Sequence, residues 1–181
     1  MPAVPDLITP RLRLVALDPR FLQWCMAAHH QCAADWLGCA LPAEWLENWT
    51  LMALRHRDLT LNPAYAPWGL RAIILAEQGE MIGQIGFHTP PNPPYLQALG
   101  TDGIELGYEV YPDWRRQGVA SEALQSMLAF ASSQGVGHAI LSISPDNLPS
   151  TRLAMRHGFS RFGEQIDDED GLEIIYRRPL P

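Results

Sequence analysis

Residues 105–120, Glu-Leu-Gly-Tyr-Glu-Val-Tyr-Pro-Asp-Trp-Arg-Arg-Gln-Gly-Val-Ala, constrain the fold of this chain more than any other stretch. A β-rich run ends at Pro112, two arginines and a glycine follow, and Val119, Ala120, Ala123, Leu124, Met127, Leu128 and Ala131 then recur at the spacing of an amphipathic helix. A strand thus enters a helix through a turn. The amides from about Gln117 to Ser121 are the donors a helix start leaves without internal partners, with the positive end of the helix dipole behind them and Arg115 and Arg116 beside them. Such a turn binds phosphate groups, and Gly118 lets the backbone approach an anion closely.

The segment Arg115-x-x-Gly118-x-Ala120 resembles the acyl-CoA pyrophosphate loop of the GNAT superfamily of N-acetyltransferases, Gln/Arg-x-x-Gly-x-Gly/Ala. A second block, Ser142 to Phe159 with Asn147, Ser150 and Gly158, is similar to the Asn-x-x-Ser…Gly-Phe segment of the branch typified by the ribosomal-protein acetyltransferases RimJ and RimL. The opening Thr9-Pro10-Arg11-Leu12-Arg13-Leu14 resembles that branch's first strand, so the likeness runs from about Leu7 to Arg178. It implies one GNAT domain over residues 1–181, an α+β (mixed α/β) fold with a mostly antiparallel, seven-stranded sheet flanked by helices.

Composition sets outer limits. The 181 residues suffice for one well-buried domain, and 47% hydrophobic against 18% charged residues predicts a globular core. With 13 basic against 20 acidic residues, the net charge of −7 argues against a nucleic-acid partner and suits a cationic acceptor. The N-terminus lacks the basic and apolar regions of a leader, and no apolar run reaches a membrane span, so a cytoplasmic protein with no membrane partner is expected. Cys25, Cys32 and Cys39 cannot all pair within the chain, which fits a reducing compartment. On one helix Cys25, His29 and Cys32 would share a face, yet no second ligand cluster completes a site, so the cysteines read as small buried residues and no metal is expected.

Along the chain, Arg11 to Leu17 reads as a strand, Asp18-Pro19 as the start of a helix and residues 42–57 as a second helix carrying Trp45, Trp49 and Met52 on one side. Leu70 to Glu77 and Met81 to His88 form a hairpin, and a proline-rich loop from Pro90 reaches about Gly103. After the motif helix come a strand at Ala139 to Ile143, a helix starting near Asn147 with Gly158 just past its end, and a closing hairpin of Phe159 to Ile166 and Leu172 to Arg178. The acidic turn from Asp167 to Asp170 reads as a solvated loop.

Acetyl transfer to an amine requires a neutral nucleophile, although an α-amine has a pKa of about 8 and a lysine amine about 10.4. Family position implies Glu105 as the base, with Glu109 and His88 as alternatives. Strict alternation puts Glu105, Gly107 and Glu109 on one face, whereas the resemblance implies a β-bulge near Gly107. Many members place a tyrosine acid seven residues after the asparagine, where this chain has Ala154. Ser150 could instead hydrogen-bond the departing thiolate, with helix capping as its plain alternative and Tyr108 as a weaker substitute. The cofactor contacts implied are Val110 through its backbone, the turn residues Arg115, Arg116, Gln117, Gly118, Val119, Ala120 and Ser121, Asn147 toward the pantetheine amides, and Arg152 toward phosphate. Direct transfer from acetyl-CoA to a small amine or protein N-terminus is the expected reaction, a homodimer is compatible with it, and a CoA-binding module without catalysis is the rival.

Overall fold

The computed structural model describes residues 4–167 and 171–181. In chain order the elements are β1 (Leu7–Ile8), β2 (Leu12–Ala16), α1 (Pro19–Met26), α2 (His30–Leu37), α3 (Ala43–Glu47), α4 (Trp49–Leu61), β3 (Arg71–Leu75), β4 (Glu80–Phe87), α5 (Pro94–Ala98), β5 (Ile104–Val110), α6 (Val119–Ser133), β6 (His138–Ile143), α7 (Leu148–Arg156), β7 (Ser160–Asp167) and β8 (Gly171–Pro179). Short 3-10 turns occupy Pro63–Tyr65 and Pro112–Trp114. The strand order is β1-β2-β3-β4-β5-β6-β8-β7, giving a mixed α+β fold with a mostly antiparallel sheet. Among the described residues the sheet has eight strands where seven were expected, because β1 is added, paired with β2 through Leu7↔Leu14. No helix among the described residues is long and apolar enough to cross a membrane.

The chain divides into two compact units, Met1–Phe87 with Tyr108–Ser126, and His88–Gly107 with Met127–Pro181. In the first unit β2, β3 and β4 pair antiparallel, with a register shift between Ile73 and Ile74. Phe21, Leu22, Ala33, Leu37, Trp45, Met52, Leu59 and Tyr65 bring α1, α2, α3, α4 and the following turn into one core with Ala72, Ile74 and Met81 of the strands. Asp18 starts α1 by accepting the Phe21 amide at 2.7 Å, with Pro19 in the first turn. Arg71 is fully buried, donating to the carbonyls of Pro5, Leu14 and Pro67, and burial lowers its pKa to about 10, so it keeps its charge at neutral pH.

This unit corrects three expectations. α1 stops at Met26, Ala28 takes a φ of +57°, and α2 starts at His30, so Cys25, His29 and Cys32 do not share a helix. Cys25 is buried as expected, whereas Cys32 is exposed. The helix expected over residues 42–57 is broken at Asn48, whose ψ of 49° is not helical; Trp45 stays fully buried while Trp49, past the break, is 58% exposed.

In the second unit the start of β5 pairs parallel with β6 through Ile104↔Ala139 and Glu105↔Ile140, and β6, β8 and β7 continue antiparallel. Leu96, Ile140 and Ile175 form a small core with Leu99 and Phe162. Leu96 belongs to α5, so the expected proline-rich loop contains a helical turn that buries an apolar residue. Asp167 ends β7, and the rest of the acidic turn, residues 168–170, lies outside the described residues.

Candidate active site

The predicted cofactor turn lies wholly in the first unit. β5 ends at Val110, the Pro112–Trp114 turn follows, and the chain enters α6 through Arg116 at φ +62° and Gly118 at φ +80°. A left-handed arginine costs on the order of 1 kcal/mol or more, so its surroundings must hold it there. Gly118 meets the same demand without a β-carbon. Arg115 Nε donates to the Val110 carbonyl at 2.7 Å and Gln117 Nε2 to the Asp113 carbonyl at 2.9 Å, which ties the turn back to the strand that delivers it. The Glu122 amide bonds the Gly118 carbonyl at 3.0 Å as the opening bond of α6, so the amides of Val119 and Ala120 stand ahead of it at the helix start. Val119, Ala123, Leu124, Met127, Leu128 and Ala131 are buried, as their spacing predicts, and anchor the helix behind the turn.

Glu109 belongs to the same unit. It accepts from Gln84 Nε2 at 3.0 Å, and the Tyr111 hydroxyl donates to Gln84 Oε1 at 2.8 Å, which fixes the orientation of the amide. Gln84 and Tyr111 are buried, and burial with the charges of Glu109 and Glu44 raises the Tyr111 pKa, so this phenol stays a donor. Gln84 was absent from the sequence reading; its register opposite Glu109 becomes legible only once the strand pairing is known. The Tyr108 hydroxyl is buried.

In the second unit Glu105 is 4% exposed on β5. Its carboxyl pKa is lowered: burial pushes it up, but hydrogen bonding and charge from His88 and hydrogen bonds from Ser142 and Tyr95 outweigh that. His88 Nδ1 lies 3.7 Å from Glu105 Oε2, and a β-carbon at Gly107 would stand 2.8 Å from His88 Nε2, so Glu105 and Gly107 face the same side. The His88 amide bonds the Glu105 carbonyl. Tyr95 and Ser142 were not singled out in the sequence: one lies in the proline-rich loop and the other on the parallel neighbour of β5.

Asn147 caps α7, its Oδ1 accepting the Ser150 amide at 3.2 Å. Ser150 is half-buried in the first turn of α7, Arg152 is exposed, and Ala154 is fully buried at the position where the resembled family often carries tyrosine.

Comparison with known proteins places this geometry. A model of the acetyltransferase (GNAT) domain matches residues 11–160. The uncharacterized N-acetyltransferase YoaA of Bacillus subtilis (strain 168) is 31% identical over 97 residues, 53% of this chain and 49% of that protein, and the chain spans about half the length of the curated relatives it matches. Among solved structures, a Bordetella pertussis chain described as a GnaT-family acetyltransferase is 26% identical with a TM-score of 0.67, covering 96% of this chain and 99% of that one. RimL, described as a ribosomal L7/L12 alpha-N-protein acetyltransferase in complex with coenzyme A, is 20% identical with a TM-score of 0.66, over 97% and 98% of the two chains. With its domain model matched across most of its length, and with the strand, turn and helix of the motif in place, the chain belongs to the GNAT acetyltransferase family.

Proposed function

We propose that the protein is a cytoplasmic N-acetyltransferase of the RimJ/RimL-like branch that moves the acetyl group of acetyl-CoA directly to a primary amine, a protein N-terminus or a small molecule. The observation that carries the reading is the turn opening α6, with its left-handed Arg116 and Gly118, in a chain whose family match includes it. The coenzyme A in the RimL structure and its α-amine acceptor support the choice of cofactor and acceptor class.

The proposed roles follow from the chemistry of each group. Amides of Gln117 to Ser121 meet the diphosphate, with Arg115, Arg116 and Arg152 adding positive charge. Val110 offers backbone bonds and Asn147 a side-chain amide to the pantetheine arm. Glu105, a carboxylate at neutral pH, receives the proton the ammonium must lose, directly or through water. Ser150 donates a hydrogen bond as charge develops on sulfur, and the amine attacks the thioester with no covalent enzyme intermediate. The test is thiol release from acetyl-CoA across a panel of small amines and N-terminal peptides. Thiol formed in step with acetylated amine supports transfer; acetyl-CoA bound without any acetylated product would favour a non-catalytic module.

A further inference from the structure

Arg11 lies just before β2 and has no part in the roles above, yet in the structure it grips the turn that opens α6. Its Nη1 donates to the Gln117 carbonyl at 3.1 Å, and its Nε donates to Glu122 Oε2 at 2.7 Å. Its backbone amide donates to Glu122 Oε1 at 2.9 Å, and the Thr9 hydroxyl adds a bond to the same oxygen at 2.6 Å. Glu122 is itself in the first turn of α6 and bonds the Gly118 carbonyl through its amide. Arg11 Nη2 comes within 3.4 Å of the point where a Gly118 β-carbon would stand. All of these residues belong to the first unit.

Two physical consequences follow. A trans peptide is planar, so its N–H points opposite to its C=O. By holding the Gln117 carbonyl on its own side, Arg11 turns the Gly118 N–H away from itself. Second, a carboxylate in the first turn of a helix competes with an anionic ligand for the same positive helix end. Burial works against the charge of Glu122, but bonds from Thr9 and from the amide and side chain of Arg11, together with the arginine's charge, keep its pKa below the usual range, so a negative charge does sit beside the turn. Its two oxygens are occupied by Thr9 and Arg11.

We propose that Arg11, braced by Glu122, is a positioning residue that fixes the Gln117–Gly118 peptide and thereby aims the Gly118 amide at the cofactor's diphosphate. The inference rests on the reading that acetyl-CoA binds this turn. It makes the N-terminal segment part of the cofactor site without requiring Arg11 to touch the cofactor.

Calorimetry with acetyl-CoA tests it on the wild type, Arg11→Gln, Arg11→Lys, Glu122→Gln and the Arg11→Gln/Glu122→Gln double variant, with thermal unfolding to establish that each is folded. Arg11→Gln should weaken acetyl-CoA by about tenfold, the loss expected for a charge-assisted bond, while the acceptor KM stays unchanged. Arg11→Lys should weaken it as well, because one ammonium does not reproduce the guanidinium fork that spans Gln117 and Glu122; this variant decides the matter if Arg11→Gln does not fold. The double variant should not regain affinity, since removing the carboxylate leaves the peptide unheld. Wild-type affinity in Arg11→Lys would reduce the role to charge, and recovery in the double variant would reduce it to screening; either overturns the inference. So would a folded Arg11→Gln with lower thermal stability and unaltered affinity. If the wild type binds no acetyl-CoA, the cofactor reading falls and takes this inference with it; wild-type binding with an indifferent Arg11 removes only the latter.

Discussion

Glu105 shows why a residue's type and position in sequence leave its chemistry open. Its place on the strand before the motif was legible, whereas its sharing a face with Gly107 was left open between strict alternation and an implied bulge. Its burial and its bonding to His88, Ser142 and Tyr95 were not, because those partners come from three other places in the chain. Glu105→Gln keeps the shape and removes the basicity, so kcat should fall by about 10²-fold or more while acetyl-CoA affinity holds. A steady-state comparison with calorimetry checks this, and undiminished turnover would pass the role to His88 or Glu109. The same pKa sets a stability signature. A carboxyl held below its unfolded value, about 4.3, contributes fully above that value and loses its contribution as pH falls through the lower folded one. Wild-type stability, followed from about pH 5, just above the unfolded carboxyl value, down to about pH 2, should therefore fall more steeply than that of Glu105→Gln. Equal slopes would mean that the ionised form gains nothing from its neighbours.

At the scale of elements, the sequence announced most strands and the long amphipathic α6 through their periodicity, and it failed where short helices change direction. Nothing local in residues 42–57 marks Asn48 as a break, since Trp45, Trp49 and Met52 suit one helical face; packing buries Trp45 and leaves Trp49 outside. α5 was hidden by its prolines, which read as loop although a proline is compatible with a first helical turn. Helix starts were clearer, because capping chemistry is local. Asp18→Ala removes the acceptor of the Phe21 amide and should lower stability by about 1 kcal/mol, read by denaturant unfolding. Asn147 poses a sharper question, since its oxygen already caps α7. Asn147→Asp keeps an acceptor at the cap and removes the amide donor, so the fold should hold while acetyl-CoA binding weakens by about tenfold for one lost bond. A folded variant with unaltered affinity would make Asn147 a cap alone.

Across the whole molecule, the family and the order of its main elements were readable from two motifs separated by a helix and a strand, and the domain match over residues 11–160 agrees with that reading. The arrangement of individual side chains was less accessible, because it depends on pairings between distant segments. The Arg11–Glu122 pair and the Gln84–Glu109 bond join residues that no local pattern relates. The central claim is that acetyl-CoA binds through the turn at Gly118, and a single calorimetric comparison of the wild type with Gly118→Val tests it. A valine there is strained by the backbone at φ +80° and puts bulk where the diphosphate must approach. The account predicts binding by the wild type and affinity weaker by about tenfold or more in a variant shown to be folded, a loss of about 1.4 kcal/mol or more. Equal affinity in the two proteins, or no binding by the wild type, would contradict it.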